Sequence, residues 1–139
     1  QAIEDLEEIL YGEGTVRETF QKMIATHIKY VIEEKETFKI IIEPKLFSNQ
    51  EQFEHMRKLR KSYEGLFDQI ISKGIQTGEF IVNEPSTAKM FILGGMNWIQ
   101  QWYRPDGRLS KAEITQLYCD YILKLLGDEG VDLSAIGES

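Results

Sequence analysis

The chain has 139 residues, 42% of them hydrophobic and 28% charged, which suits one globular domain with a real core and excludes wholesale disorder. Sixteen Lys and Arg against 23 Asp and Glu give a net charge of −7, so the segment lacks the basic face that direct duplex binding needs. Its single cysteine, Cys119, cannot close an internal disulfide and points to a reducing, cytoplasmic setting, while its longest apolar run, 90–99, falls short of the about 20 residues that span a bilayer.

Helical spacing dominates from the start. Ile3, Leu6, Ile9 and Leu10 mark one face of an opening helix that Gly12 and Gly14 break. A helix already under way at Gln1 suggests a piece of a longer protein. Thr15 caps the next helix, with Glu18 completing a capping box, and Phe20, Met23, Ile24, His27, Ile28 and Val31 form its buried stripe. Residues 38–47 are apolar almost all round, and Pro44 should kink or end a helix there. Ser48 or Asn49 caps a third long helix carrying Phe53, Met56, Leu59, Tyr63, Leu66, Phe67, Ile70 and Ile71 on one face. Gly78 is its natural end, with Gly74 a weaker stop before it. Asn83 is expected to cap a helix running from Pro85 to about Tyr103, because Arg104 precedes Pro105. Pro105-Asp106-Gly107 makes a turn. Ser110 and Glu113 form a second capping box, opening a last helix with Ile114, Leu117, Tyr118, Tyr121, Ile122, Leu125 and Leu126 inward and Gly127 at its end. The architecture predicted is all-α, a bundle of five to six helices, with 11–127 as the domain proper and 128–139 as a flexible tail.

Few residues carry recognisable reaction chemistry. His27 and His55 lie on different helices, and the position that would complete a Glu-x-x-His pair with His55 holds Gln52, so no metal site is expected. Cys119 has no histidine nearby and reads as a small buried hydrophobe. There is no nucleophile turn or phosphate loop, and therefore neither a catalytic residue nor a cofactor is assigned. His27 is either a hydrogen-bonded core histidine or part of a pocket. The run HMRKLRKS puts Arg57, Arg60 and Lys61 on one helical face, either a solvated surface or an anion site at a pocket mouth. The stretch NWIQQWYRPDGRLS, 97–110, stacks Trp98 and Trp102 on one face with Gly94 below, while Gly95, Ile99 and Tyr103 lie on others. A helix apolar on two adjacent faces either sits fully inside a bundle or separates a core from an interface. Gly94 and Gly95 suggest close approach of another helix or a ligand.

The pair of motifs GIQTGEF, 74–80, and NWIQQWYRPDGRLS resembles the C-terminal regulatory domain of TetR-family transcriptional repressors, nearest to members that sense acyl-CoA thioesters. The resemblance implies that residues 1–10 end a helix leading from an absent N-terminal helix-turn-helix unit, through which alone operator DNA would be bound. It implies a homodimer built on a four-helix interface from the last two helices, and a ligand pocket inside each subunit. On that basis the pocket is expected to take His27, Tyr30, Met56, Arg60, Tyr63, Phe67, Trp98, Gln101 and Trp102, with Arg57 or Arg104 assisting Arg60 against an anion. The dimer interface is expected to take Ile92, Gly95, Met96, Ile99, Tyr103, Tyr118, Tyr121, Ile122 and Leu125. The effector implied is a hydrophobic small molecule, with acyl-CoA and fatty-acid-like ligands as candidates. An alternative is a helical adaptor that binds a protein partner through its aromatic helix.

Overall fold

The computed structural model describes residues 2–36, 38 and 49–127. Within them the chain forms helices and no strands: α1 (Ala2–Leu10), α2 (Val16–Glu33), α3 (Gln50–Thr77), α4 (Pro85–Asn97), α5 (Ile99–Trp102) and α6 (Lys111–Leu126). None of these is long and apolar enough to cross a membrane. The apolar segment at 39–48 with Pro44, and the tail 128–139, lie outside the described residues.

The chain's local chemistry sets most helix ends. Thr15 Oγ1 accepts from the Glu18 amide while the Glu18 carboxylate accepts from the Thr15 amide at 2.9 Å, and Ser110 and Glu113 repeat the arrangement for α6. These amide donors hold both glutamate carboxyls below the usual range. Asn49 caps α3 through its Oδ1. The far end of α3 explains GIQTGEF. Gly78 adopts φ +82°, and the chain doubles back so that the Phe80 amide donates to the Gly74 carbonyl at 2.9 Å. A Cβ on Gly74 would stand 2.0 Å from the Phe80 ring. Gly74 therefore does not stop the helix; it clears room for Phe80, which packs on Phe20 at 5.8 Å.

Two other expectations are corrected. Glu84, not Asn83, occupies the cap position of α4, and no side chain bonds there; Pro85 in the first turn supplies the helical φ instead. The helix expected to run through to Tyr103 is interrupted at Trp98. The Trp98 amide still donates to Gly94, but its carbonyl accepts from Gln101, only three residues on, which tightens the turn and separates α5 from α4.

Helix α2 is the centre of the bundle and packs against each of the other five. Its buried stripe, from Phe20 to Val31, meets Leu6 and Leu10 of α1, Phe67, Ile70 and Ile71 of α3, and Ile92, Leu93 and Met96 of α4 in one continuous core. Ion pairs add clasps: exposed Lys111 to Glu33 at 2.6 Å, a minor contribution to stability, and buried Lys89 to the exposed Asp68 carboxylate at 3.1 Å. The last helix is only half covered. Ile114, Ile122, Leu123 and Leu126 face the core, but Tyr121 and Leu125, expected inward, point outward.

Candidate functional site

Polar side chains meet where α2, α3 and α4 come together. His27 is 1% exposed. Its Nε2 lies 2.7 Å from Asn97 Oδ1 and its Nδ1 lies 2.5 Å from Tyr63 Oη. Desolvation lowers the His27 pKa to about 4, so the ring is neutral at ordinary pH. With a carboxamide oxygen as its partner, Nε2 carries the proton and donates, which leaves Nδ1 to accept from the Tyr63 hydroxyl. Burial also raises the Tyr63 pKa and keeps that hydroxyl protonated. Each buried polar atom of the histidine is thereby satisfied.

Aromatic rings wall this knot. Phe38 meets His27 edge-on at 5.2 Å and Tyr63 at 5.5 Å, while Phe67 meets His27 at 5.7 Å. A cavity of about 20 Å³ remains between His27, Phe38, Arg60, Tyr63, Glu64, Leu93 and Asn97. That is room for about one water molecule. Arg60 is half-buried beside it and paired with Glu64 through Nε at 3.0 Å. Tyr30 reaches the site indirectly: its ring stacks on Phe38 at 6.2 Å, and its hydroxyl donates to Asp5 of α1. That bond to a carboxylate pushes the Tyr30 pKa up to about 12.

Of the pocket residues expected from the sequence, the fold brings His27, Arg60, Tyr63 and Phe67 together, with Tyr30 one ring away. Met56 is half-buried on α3 and does not line the cavity. Arg57 is exposed and paired with Glu54, and Arg104 is exposed in the loop after α5. Trp98, Gln101 and Trp102 are on the outside of the subunit, with the two indoles 64% and 40% exposed. The reason is the register of α4. Leu93 and Asn97 face α2, so Trp98, one residue further round, is turned away from it. Four cavity residues escaped the sequence reading: Phe38, Glu64, Leu93 and Asn97. Asn97 left a signal, as the one polar side chain in the apolar run 90–99.

The outward side of α4 and α5 is a second feature. Phe91 is 70% exposed and shares a face with Trp98 at i, i+7 spacing. Beside them an open apolar groove of about 230 Å³ runs between α4 and α6, lined by Phe91, Ile92, Gly95, Tyr118, Tyr121, Ile122 and Leu125. A Cβ on Gly94 or Gly95 would meet nothing within 4 Å, so neither glycine serves a close approach inside this subunit. Among the residues expected at an interface, Gly95, Tyr118, Tyr121, Ile122 and Leu125 border this groove, together with Ile92. Met96 and Ile99 are fully buried and back the face from within, and Tyr103 is half-buried. Phe91 was not anticipated. No group of three or more His, Cys, Asp or Glu gathers among the described residues.

Residues 13–126 match the family described as Tetracyclin repressor-like, C-terminal domain. Among solved structures, a TetR/AcrR-family transcriptional regulator from Thermobifida fusca YX-ER1 is 27% identical with a TM-score of 0.70, over 88% of this chain and 64% of that one. The ketosteroid transcriptional regulator KstR2 of Mycobacterium tuberculosis superposes with a TM-score of 0.80 at 18% identity, over 92% of this chain and 66% of that one. The transcriptional regulator FadR from Bacillus subtilis, solved in complex with stearoyl-CoA, gives a TM-score of 0.64 at 23% identity, over 93% and 68%. The chain thus spans just under two thirds of the first two regulators. No curated protein matches it. The match over residues 13–126 shows that the chain belongs to the tetracyclin repressor-like C-terminal domain family of TetR-type transcriptional regulators.

Proposed function

We propose that this domain binds a hydrophobic small molecule in the space walled by Phe38, Tyr63, Leu93 and Phe67, and that occupancy controls a regulator dimer. The observation that carries the reading is the juxtaposition, inside one aromatic shell, of a neutral polar knot and a cation at its rim. An apolar ligand body with an accepting or anionic end fits that chemistry: rings for the body, the Asn97 carboxamide N–H groups and the Arg60 guanidinium for the end. An acyl-CoA or fatty-acid-like effector belongs to this class, and the stearoyl-CoA bound by the FadR relative supports it. The cavity of about 20 Å³ is too small for an acyl chain, so binding requires Phe38 and Leu93 to move apart. The role is sensory and not catalytic, and in the whole protein operator DNA would be held by a unit preceding α1. Titration with medium- and long-chain acyl-CoAs, read by tryptophan fluorescence and thermal shift, tests the ligand class. A saturable change is expected; absence of both responses would refute it. Mass spectrometry of the natively purified domain would identify a retained ligand directly.

The same proposal places a second copy of the chain on the outward face of α4, α5 and α6. Phe91, Trp98 and Trp102 supply aromatic anchors, the groove between α4 and α6 supplies a receptor for them, and the bare Gly94–Gly95 surface allows close approach. An exposed apolar patch of this kind also suits the adaptor alternative, with a different protein as the occupant. The self-complementary pairing of protruding rings with a groove favours the second copy.

A further inference from the structure

The junction between α4 and α5 joins the two features just described. Asn97 is the last residue of α4 and its side chain is held inside by His27 at 2.7 Å. Trp98, the next residue, is where the helix breaks, and its side chain lies on the outward face. One peptide therefore carries a pocket group on one side and an interface group on the other. Backbone bonds from the Trp98 amide to Gly94 and from the Gln101 amide to the Trp98 carbonyl hold the turn itself, and the Asn97 side chain adds the one side-chain hydrogen bond that ties it to α2.

A second observation concerns α5. Gln100 is buried, and its Oε1 has no hydrogen-bond partner among the described residues. The segment that carries it is a single short turn, set off from α4 by the tightened bonding at Trp98, so its seating depends on what packs beside the junction.

We infer that His27 is a positioning residue: by donating to Asn97 it sets the seating of the α4–α5 junction and hence the presentation of Trp98 to a partner subunit. A ligand whose accepting group takes the His27 proton donor, or whose bulk separates α2 from α4, frees Asn97 and unseats Trp98. Pocket occupancy is thereby converted into a change of dimer affinity. This rests on the dimer reading above and adds to it the residue pair through which the pocket acts.

The test measures the dimer dissociation constant of the intact chain by sedimentation velocity over a concentration series, with no ligand added. His27→Leu removes the donor. His27→Gln keeps an amide N–H near the place of imidazole Nε2, and so preserves the bond to Asn97. Asn97→Leu removes the acceptor from the partly exposed side, where folding is less at risk. Phe20→Leu perturbs the ring packing behind the site without touching the bond. A relay predicts dimers weakened at least tenfold in His27→Leu and Asn97→Leu, and within threefold of wild type in His27→Gln and Phe20→Leu. A merely structural role would lower thermal stability in all four and leave the dissociation constant unchanged, which would overturn the proposal. Equal weakening in His27→Gln and His27→Leu would overturn it too. If the wild-type chain stays monomeric at tens of micromolar, the dimer reading itself falls; if it dimerises and the variants match it, only the relay does.

Discussion

On its inner side α4 ends in Asn97, whose carboxamide is bonded to a buried histidine that is bonded in turn to a tyrosine. On its outer side the same helix bears Phe91 and leads into Trp98, both exposed, above two glycines that touch nothing. A stable monomer would have the opposite arrangement, with polar groups in water and aromatic rings in the core. Burying a neutral histidine forgoes its hydration and is tolerable only because each ring nitrogen is satisfied. Exposing large rings leaves apolar area wet that burial would otherwise stabilise at about 25 cal/mol per Å². The inner side is closed within one subunit, whereas the outer side leaves large rings in water. On the proposed reading, polarity inside marks where a ligand is met and apolarity outside marks where a second copy is met.

The largest effect on the inner side follows from His27. Its folded-state pKa of about 4 lies below the 6.5 of a free histidine, so the unfolded chain takes up the proton first as pH falls. Its contribution is therefore complete above pH 6.5, declines between 6.5 and 4, and is flat below. Roughly 3 kcal/mol is the most this one group accounts for. Urea unfolding at fixed protein concentration across that interval should show the decline, and His27→Gln should flatten it. An equal slope in the variant would assign the effect elsewhere.

Gly74→Ala and Gly95→Ala set the two sides against each other directly. At position 74 the new methyl meets the Phe80 ring, and overpacking should destabilise the fold by about 2 kcal/mol despite the gain in helix propensity. Tyr63→Phe should cost somewhat less, about 1–2 kcal/mol, by leaving His27 Nδ1 without its donor. Both are read by chemical denaturation, and unchanged midpoints would show that the interior is less tightly closed than its geometry. At position 95 the methyl meets nothing within the subunit. Introduced into a Phe91→Glu background, Gly95→Ala should raise monomer stability by up to about 1 kcal/mol. In the wild-type background the same change should weaken self-association. Destabilisation in both backgrounds would place Gly95 against a neighbour within the chain.

Helix placement was legible because it depends on short-range chemistry. Thr15 with Glu18, Ser110 with Glu113, Asn49 and Gly78 each act within one turn, and each stands where its residue type requires. The break at Trp98 was not legible, since nothing in the local sequence forbids helix there. It accompanies a bond from Asn97 to a histidine 70 residues earlier, which no periodicity reports. His27, Tyr63, Phe67 and Arg60 could be grouped because inward positions on adjacent long helices converge. Phe38 and Leu93 could not, since one lies beyond the end of α2 and the other looks like ordinary core. For the tryptophans, spacing showed that Trp98 and Trp102 share a face but not which way that face points. The direction is set by where Leu93 and Asn97 contact α2, a tertiary fact.

The account stands or falls on the outer face of α4 and α5 being covered by a second copy of the chain. Light scattering of the wild-type chain and of Phe91→Glu, at the same tens-of-micromolar concentration, measures this directly. Wild type should give twice the 16.1 kDa chain mass, and Phe91→Glu should give 16.1 kDa with its helical circular dichroism intact. A monomeric wild type, or a Phe91→Glu variant that remains fully dimeric, would contradict the account.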